Sequence, residues 1–339
     1  MADRQSPLSE ADILQEVARR YALSLADLTP VMVDEGTHVY AVDHHAHPYI
    51  LKWMPSWEQS AEEIAAEVDW VNYLADHDVP VARALPSAQG VLVEVIPIPH
   101  AYASVVAYAR APGHRPAGRD LDATLFQRWG AVMGKMHRLA RQYRSTRPSV
   151  HIPSWNANAQ RDRAQIPADQ VAVLEKWDAL MQQVQGLPRH GDVYGLIHGD
   201  LQANNLVVAD GRLTVIDFAA CEVSWFVREI AIALYFHLWE PHPGQETRSV
   251  AAFFLDHLVE GYTREHVLGA FWLEQLPTFL KLQELQIYSA IAAYTGFVQD
   301  RDIETIPNKY RRLLTRYRYN IEHEIPYLES AHNPWSSAP

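Results

Sequence analysis

Apolar positions change their spacing partway along the chain. Residues 9–22 repeat at helical intervals, with Ile13, Leu14, Val17 and Ala18 on one face. Three β-rich runs follow at 30–33, 37–42 and 48–54, punctuated by Gly36 and by the stretch DHHAHP. Helical spacing returns at 57–75, where Ile64, Val68, Val71 and Ala75 share an inner face. Strands are predicted again at 91–96 and 102–109. The Pro/Gly-rich segment APGHRPAG at 111–118 then breaks the pattern. Beyond it, 121–142 and 168–185 read as helices, 196–217 as a strand pair, and the chain from 225 onward as mostly helix. The expectation is an α+β chain: a small antiparallel-sheet lobe over 1–110 and a larger, mainly helical lobe over 111–339. Clefts between such lobes are common ligand sites.

The strand pair carries the densest chemistry. NLVVADGRLTVIDF reads as a hairpin in which Leu206–Val208 and Leu213–Ile216 flank the turn residues Asp210 and Gly211. The turn folds the chain back, so Asn205 before the first strand and Asp217 after the second fall at one end. Asp200 sits in the loop just before them. Taken singly, Asp and Asn form turns and caps. As an ordered set around a hairpin, three oxygen-bearing side chains suit a hard cation such as Mg²⁺, which takes one or two carboxylates plus phosphate oxygens. The same set suits phosphoryl transfer, in which one Asp takes the proton of an incoming hydroxyl while Asn and a second Asp hold the metal.

Composition narrows the partners. The 339 residues include 29 Lys and Arg against 41 Asp and Glu, a net charge of −12. That balance argues against a nucleic-acid backbone as the main partner. Cys221 is the single cysteine, which excludes an intrachain disulfide and a cysteine-based zinc site and fits a reducing cytoplasm. The N-terminus has no signal-like apolar core, and no apolar run is long enough to span a bilayer. His44, His45 and His47 invite a metal reading, but a histidine-rich turn without a second ligand cluster is ordinarily just exposed.

HGDLQANN followed by VIDF resembles the signature of the aminoglycoside phosphotransferase and homoserine/choline kinase-like family, small-molecule relatives of the protein kinases. The resemblance implies a bilobal protein-kinase-like fold and an ATP- and Mg²⁺-dependent transfer of phosphate to a hydroxyl of a small molecule. Amino alcohols, amino acids and aminoglycosides are the implied acceptors. It makes Asp200 the catalytic base, Asn205 and Asp217 the metal ligands, and His198 a structural partner of the loop. EGTHVYAV is similar to the nucleotide-covering loop, which points to Gly36 and Thr37 as backbone contacts. PYILKW is similar to the strand bearing the phosphate-binding lysine, here Lys52, and backbone groups near 106–110 would read the adenine. By periodicity Glu63 or Glu67 could face that lysine; the resemblance selects Glu67. FQRWGAVMGKMHRL is similar to the helix opening the larger lobe, and WFVREIAIAL to the segment after the metal Asp, with Glu229 where the family usually has Asp.

The match departs in places. The family commonly carries two further acids after the metal Asp and its Phe, where this chain has Ala219 and Ala220. Gln202 and Asn204 stand where His and Gly are frequent. The retained Lys52, Asp200, Asn205 and Asp217 favour an active enzyme. The alternatives are a protein Ser/Thr kinase of the same fold, which would present an open groove rather than a closed acidic pocket, and a non-catalytic nucleotide-binding regulator, suggested by the two alanines.

Overall fold

The computed structural model describes residues 10–33, 36–43, 48–146, 152–296 and 306–330. His44, His45 and His47 and the tail from 331 lie outside them. The chain opens with helix α1 (Glu10–Arg20) and strands β1 (Leu28–Val33), β2 (His38–Val42) and β3 (Tyr49–Pro55). Helix α2 (Ala61–Asp76) and strands β4 (Ala84–Leu85), β5 (Glu94–Ile98) and β6 (Ala101–Ala109) follow. Next come helices α3 (Ala123–Ala140), α4 (Trp155–Ala164) and α5 (Val171–Gln185), then strands β7 (Tyr194–Ile197), β8 (Leu206–Ala209), β9 (Arg212–Val215) and β10 (Glu222–Trp225). The remainder is helical: α6 (Phe226–Trp239), α7 (Thr247–Thr263), α8 (Ala270–Leu273), α9 (Leu276–Tyr294), α10 (Asn308–Glu322) and α11 (Tyr327–Ser330). The architecture is α+β, with the sheet early and the helices late, as the hydrophobic pattern predicts.

Two compact units form. The first joins Met1–His114 with Tyr143–Ile152 and Val207–Ala219; the second joins Arg115–Gln142 with Pro153–Leu206 and Ala220–Pro339. In the first, six strands make an antiparallel sheet in the order β1-β2-β3-β6-β4, with β5 also paired to β6. The period-2 alternation of β3 divides the core. Leu51 and Trp53 pack with Ile13 and Val17 of α1 on one face. Met54 and Val106 pack with Ile64 and Val68 of α2 on the other. Ser60 caps α2: its hydroxyl accepts from the Glu63 amide, and Glu63 reaches back to the Ser60 amide. This capping box starts the helix at Ala61, later than periodicity alone suggests.

In the second unit α3 lies against α7 at very short range. A Cβ placed on Gly130 would meet the Leu258 carbonyl oxygen at 1.8 Å, and one on Gly261 the Gln127 carbonyl oxygen at the same distance. Only glycine at both positions lets the helix backbones approach this closely, and the approach brings side chains of α7 to the buried face of α3.

Candidate active site

The alternation of β3 puts Lys52 on the α2 face, between Val39 of β2 and Val106 of β6. Its side chain is only 13% exposed, and its ammonium donates to Asp217 Oδ1 at 2.8 Å. Burial pulls the ammonium's pKa down, but the charges of Asp217 and Glu67 outweigh it and hold the group above its ordinary value. Asp217 follows β9 and is 46% exposed, with a left-handed backbone at φ +63°. That conformation is unusual for a residue with a side chain and is most often met at turns and functional sites.

Glu67 is buried on the inner face of α2 and accepts from the Tyr108 hydroxyl at 2.8 Å. Burial raises its carboxyl above the ordinary range, with Lys52 and Tyr108 offsetting part of the rise. Lys52 therefore lies in the field of two carboxylates, but its hydrogen bond goes to Asp217. Glu63 is consumed by the helix cap, which leaves Glu67 as the acid of α2 that acts on the lysine. Gly36 and Thr37 precede β2; a Cβ on Gly36 would come within 3.1 Å of the Glu58 side chain. The amides of Ala109 and Arg110 donate to the Arg83 and Pro48 carbonyls, so those two donors of the 106–110 stretch are already used.

The hairpin is present, with Asp210 at φ +47° and Gly211 at φ +73° between β8 and β9. The loop ahead of it belongs to the second unit. The Asn205 amide nitrogen donates both to the backbone oxygen of Asp200 and to its Oδ2, each at 2.8 Å. Gln202 Nε2 donates to Oδ1 at 2.8 Å. The Asp200 carboxylate is thus held at each oxygen by a neighbour on its own loop. With its nitrogen so engaged, the Asn205 side chain turns its oxygen, the atom a hard cation takes, away from these bonds. His198 is buried, and its Nδ1 accepts from the Asp200 amide at 3.3 Å.

Gly199 anchors the loop from behind. Its φ is +80°, and a Cβ there would lie 2.1 Å from the Ala220 carbonyl oxygen. Its amide donates to Glu229 Oε1 at 2.8 Å. Glu229 is 0% exposed; its second oxygen accepts from His137 Nε2 at 2.9 Å, and His137 Nδ1 meets the Tyr262 hydroxyl at 2.9 Å. Because a carboxylate only accepts, the proton of the imidazole is assigned to Nε2 and the tyrosine hydroxyl donates to Nδ1. The chain Gly199–Glu229–His137–Tyr262 links the loop to α6, α3 and α7 without reaching solvent.

Lys52, Glu67, Gly36, Thr37, Asp200, Asn205 and Asp217, the seven residues expected from sequence to serve nucleotide, metal or acceptor, all fall among the described positions. Lys52, Glu67 and Asp217 are brought together in the first unit, and Asp200 with Asn205 in the second. Tyr108, His137 and Tyr262 escaped the sequence reading. A histidine on the otherwise apolar inner face of α3 was the available signal for His137. Tyr108 looked like one more strand aromatic. Among the described residues no three or more His, Cys, Asp or Glu side chains are grouped to hold a metal, and no helix is long and apolar enough to cross a membrane.

The model of the phosphotransferase enzyme family matches residues 27–268. Amicoumacin kinase of Bacillus subtilis (strain 168) is 32% identical over 320 residues, covering 94% of this chain and 93% of that protein. Among solved structures, amicoumacin kinase hAmiN in complex with AMP-PNP, Ca²⁺ and Ami superposes with a TM-score of 0.87 at 32% identity, covering 94% of each chain. The microcompartment-associated aminopropanol kinase shares the fold, with a TM-score of 0.72 at 22% identity over 95% of this chain and 98% of that one.

Proposed function

Since the chain belongs to the phosphotransferase enzyme family, we propose that Asp200 is the base, and Lys52 and Asp217 the phosphate-side groups, of an ATP-dependent transfer to a small-molecule hydroxyl. In this reading the N-terminal lobe, 1–110, takes the nucleotide, and 111–339 carries the catalytic loop and the acceptor. The observation that carries it is the Asp200 carboxylate held by Gln202 and Asn205 on a loop anchored through Gly199. Asp200 takes the proton from the acceptor hydroxyl as the new oxygen–phosphorus bond forms and the bond to the β-phosphate bridging oxygen breaks, releasing ADP. Lys52 directs its ammonium at the phosphates, and Glu67, kept in place by Tyr108, supports that ammonium. Gly36 and Thr37 offer backbone groups to the nucleotide.

Asn205 and Asp217 each offer an oxygen of the kind a hard divalent ion takes, and two protein ligands plus phosphate oxygens is the habit of Mg²⁺. When bound, such an ion neutralises phosphate charge. We assign Mg²⁺ to this role; the amicoumacin kinase structure holds Ca²⁺, a cation with the same preference for oxygen. Amicoumacin is the first acceptor to assay, because it names a relative 32% identical over nearly the whole chain. A single buried cysteine, Cys221, fits a cytoplasmic setting.

The test separates the two aspartates. Asp200→Asn should bind Mg²⁺·ATP as the wild type does while losing about 10²–10⁴-fold in turnover. Asp217→Asn should bind Mg²⁺·ATP more weakly, because a charged ligand becomes a neutral one. Calorimetric titration beside rate measurements reads both. Full activity in Asp200→Asn would sink the mechanism, and equal loss of nucleotide binding in both would contradict the division of roles.

A further inference from the structure

Beside the catalytic loop, within the second unit, lies a cavity of about 560 Å³. Ala203 and Asn204, three and four residues past Asp200, form part of its wall. Its volume falls in the ~300–1,000 Å³ range of sites for drug-sized ligands, well beyond what a three-carbon amino alcohol fills. Leu121, Phe126, Val250 and Phe253 give it an apolar side. Phe253 is 49% exposed although it lies edge-on to buried Phe126, with centroids 6.1 Å apart. A large ring left in water at the mouth of a polar-rimmed cavity is a surface suited to cover by a ligand.

The polar side is sparing in charge. Glu240 is the one carboxylate among the lining residues, and no lysine or arginine lines the cavity. His237, on the last turn of α6, is 7% exposed and stacks on Phe254 with centroids 4.6 Å apart. Its ring makes no hydrogen bond among the described residues. Burial, aided by neighbouring His242, pushes its imidazole down to about 3, so it is neutral near pH 7. A neutral imidazole hydrogen-bonds a hydroxyl or amide without selecting for charge. The closed acidic pocket expected of a small-molecule acceptor site is therefore not what this cavity presents. One acid does not match a polycation; it matches a single ammonium.

Resting on the phosphotransferase reading, we propose that this cavity is the acceptor subsite, and that it takes an amino alcohol with one ammonium and a ring-sized apolar group. Phe126 and Phe253 receive the ring, Glu240 faces the ammonium, and His237 hydrogen-bonds an uncharged polar group of the ligand.

A matched pair of probes tests this: 2-amino-1-phenylethanol and 1-amino-2-propanol, which differ only in phenyl against methyl on the hydroxyl-bearing carbon. Binding to the full-length protein is measured by calorimetry, and ADP release with Mg²⁺·ATP gives kcat/KM for each. The phenyl compound should bind about 10- to 100-fold more tightly, the gain expected from burying a ring in place of a methyl. Phe253→Ala should erase most of that ratio, and Phe253→Tyr should restore it. Because Phe253 is half exposed, both variants are expected to fold, and circular dichroism checks this. Equal binding of the two probes by the wild type, or a ratio untouched by Phe253→Ala, overturns the assignment. Turnover of both probes with no ratio overturns the cavity and leaves the phosphotransferase reading intact. The predicted binding ratio with no ADP release from either probe or from amicoumacin upholds the cavity as a binding site and overturns the reading on which its acceptor role rests.

Discussion

Two groups of buried and half-buried acids serve the candidate chemistry, and they are held in opposite ways. In the first unit, Lys52 is set between Asp217 and Glu67, and its hydrogen bond goes to the more exposed partner. In the second, Glu229 is sealed from solvent and satisfied at both oxygens, by a backbone amide and by an imidazole that a tyrosine hydroxyl completes. The first arrangement is ionic and open at Asp217, so the metal–phosphate group proposed to bind there would take over interactions that the protein makes with itself. The second is a closed hydrogen-bond chain whose members have no substrate to meet. The difference teaches where preorganisation is stored: the loop bearing Asp200 is fixed in advance, while the groups proposed to meet phosphate keep partners they can exchange.

Removing one acid from each group should break the comparison most visibly. Glu229→Ala strands the Gly199 amide and the His137 Nε2 proton in a dry interior, at about 1–3 kcal/mol for each unsatisfied donor. Asp217→Asn should cost less, about 1 kcal/mol, because the amide oxygen can still accept from Lys52, the charge of Glu67 remains beside the ammonium, and Asn tolerates the left-handed backbone. Glu229→Gln should recover most of the loss. Its amide nitrogen then donates to His137 Nε2, the imidazole proton moves to Nδ1, and the Tyr262 hydroxyl turns to accept. Urea unfolding of the three variants measures this. Equal destabilisation by Glu229→Ala and Asp217→Asn would remove the distinction between the two groups.

The first group was largely legible in the sequence, and the second was not. Lys52, Glu67 and the hairpin residues rest on local rules: strand alternation, helical periodicity, and a two-residue Asp-Gly turn. Those rules place a side chain on a face but do not choose its partner. The pairing expected between Lys52 and Glu67 is thus an electrostatic one, with the hydrogen bond diverted to Asp217. The alternative of an exposed strand lysine fails because β2, β6 and α2 enclose that face. His137 and Tyr262 are 125 positions apart, and they meet because Gly130 and Gly261 let α3 and α7 approach. No local pattern announces such a contact. Short elements were missed for a related reason: β4 and β10 are strands of two and four residues whose pairing partners lie far along the chain, and α4, WNANAQRDRA, buries only Trp155 and Ala159 and lacks an apolar stripe.

A pH series sharpens the contrast from the first group's side. Burial holds the Glu67 carboxyl above its ordinary value, so the folded state binds that proton more tightly than the unfolded chain. The contribution is fully present below the ordinary carboxylate range and is lost as pH rises through the raised value. Glu67→Gln has no such proton. The stability of the wild type relative to Glu67→Gln should therefore fall as pH rises across that window, by up to about 1.4 kcal/mol per pH unit. Unfolding of both proteins in urea from pH 4 to pH 7 reads the difference. A flat difference, or one that grows with pH, would show that Lys52 and Tyr108 compensate Glu67 fully, and the first group would then be as well satisfied as the second.

The smallest expected effect comes from restoring a carboxylate where the chain has Ala219. Ala219 lies two residues past Asp217, beyond buried Phe218, and is itself only partly buried. An ionic, solvent-facing group should absorb one more acid with little strain, so Ala219→Asp should leave stability within about 0.5 kcal/mol of the wild type. The new carboxylate would act on the metal through its surroundings rather than as a required ligand. Such outer groups tune affinity by about 10- to 100-fold at most when they orient a ligand directly, and here the shift in half-saturating Mg²⁺ should stay below about tenfold, with turnover at saturating metal unchanged. Initial rates at fixed ATP over a Mg²⁺ series compare the two proteins. Superimposable curves would mean that the side chain at 219 points away from the proposed phosphate-side groups, and that the missing acids have no bearing on the ion proposed at Asp217. A collapse of activity at every Mg²⁺ concentration would mean that the first group is as intolerant of change as the sealed chain behind Gly199.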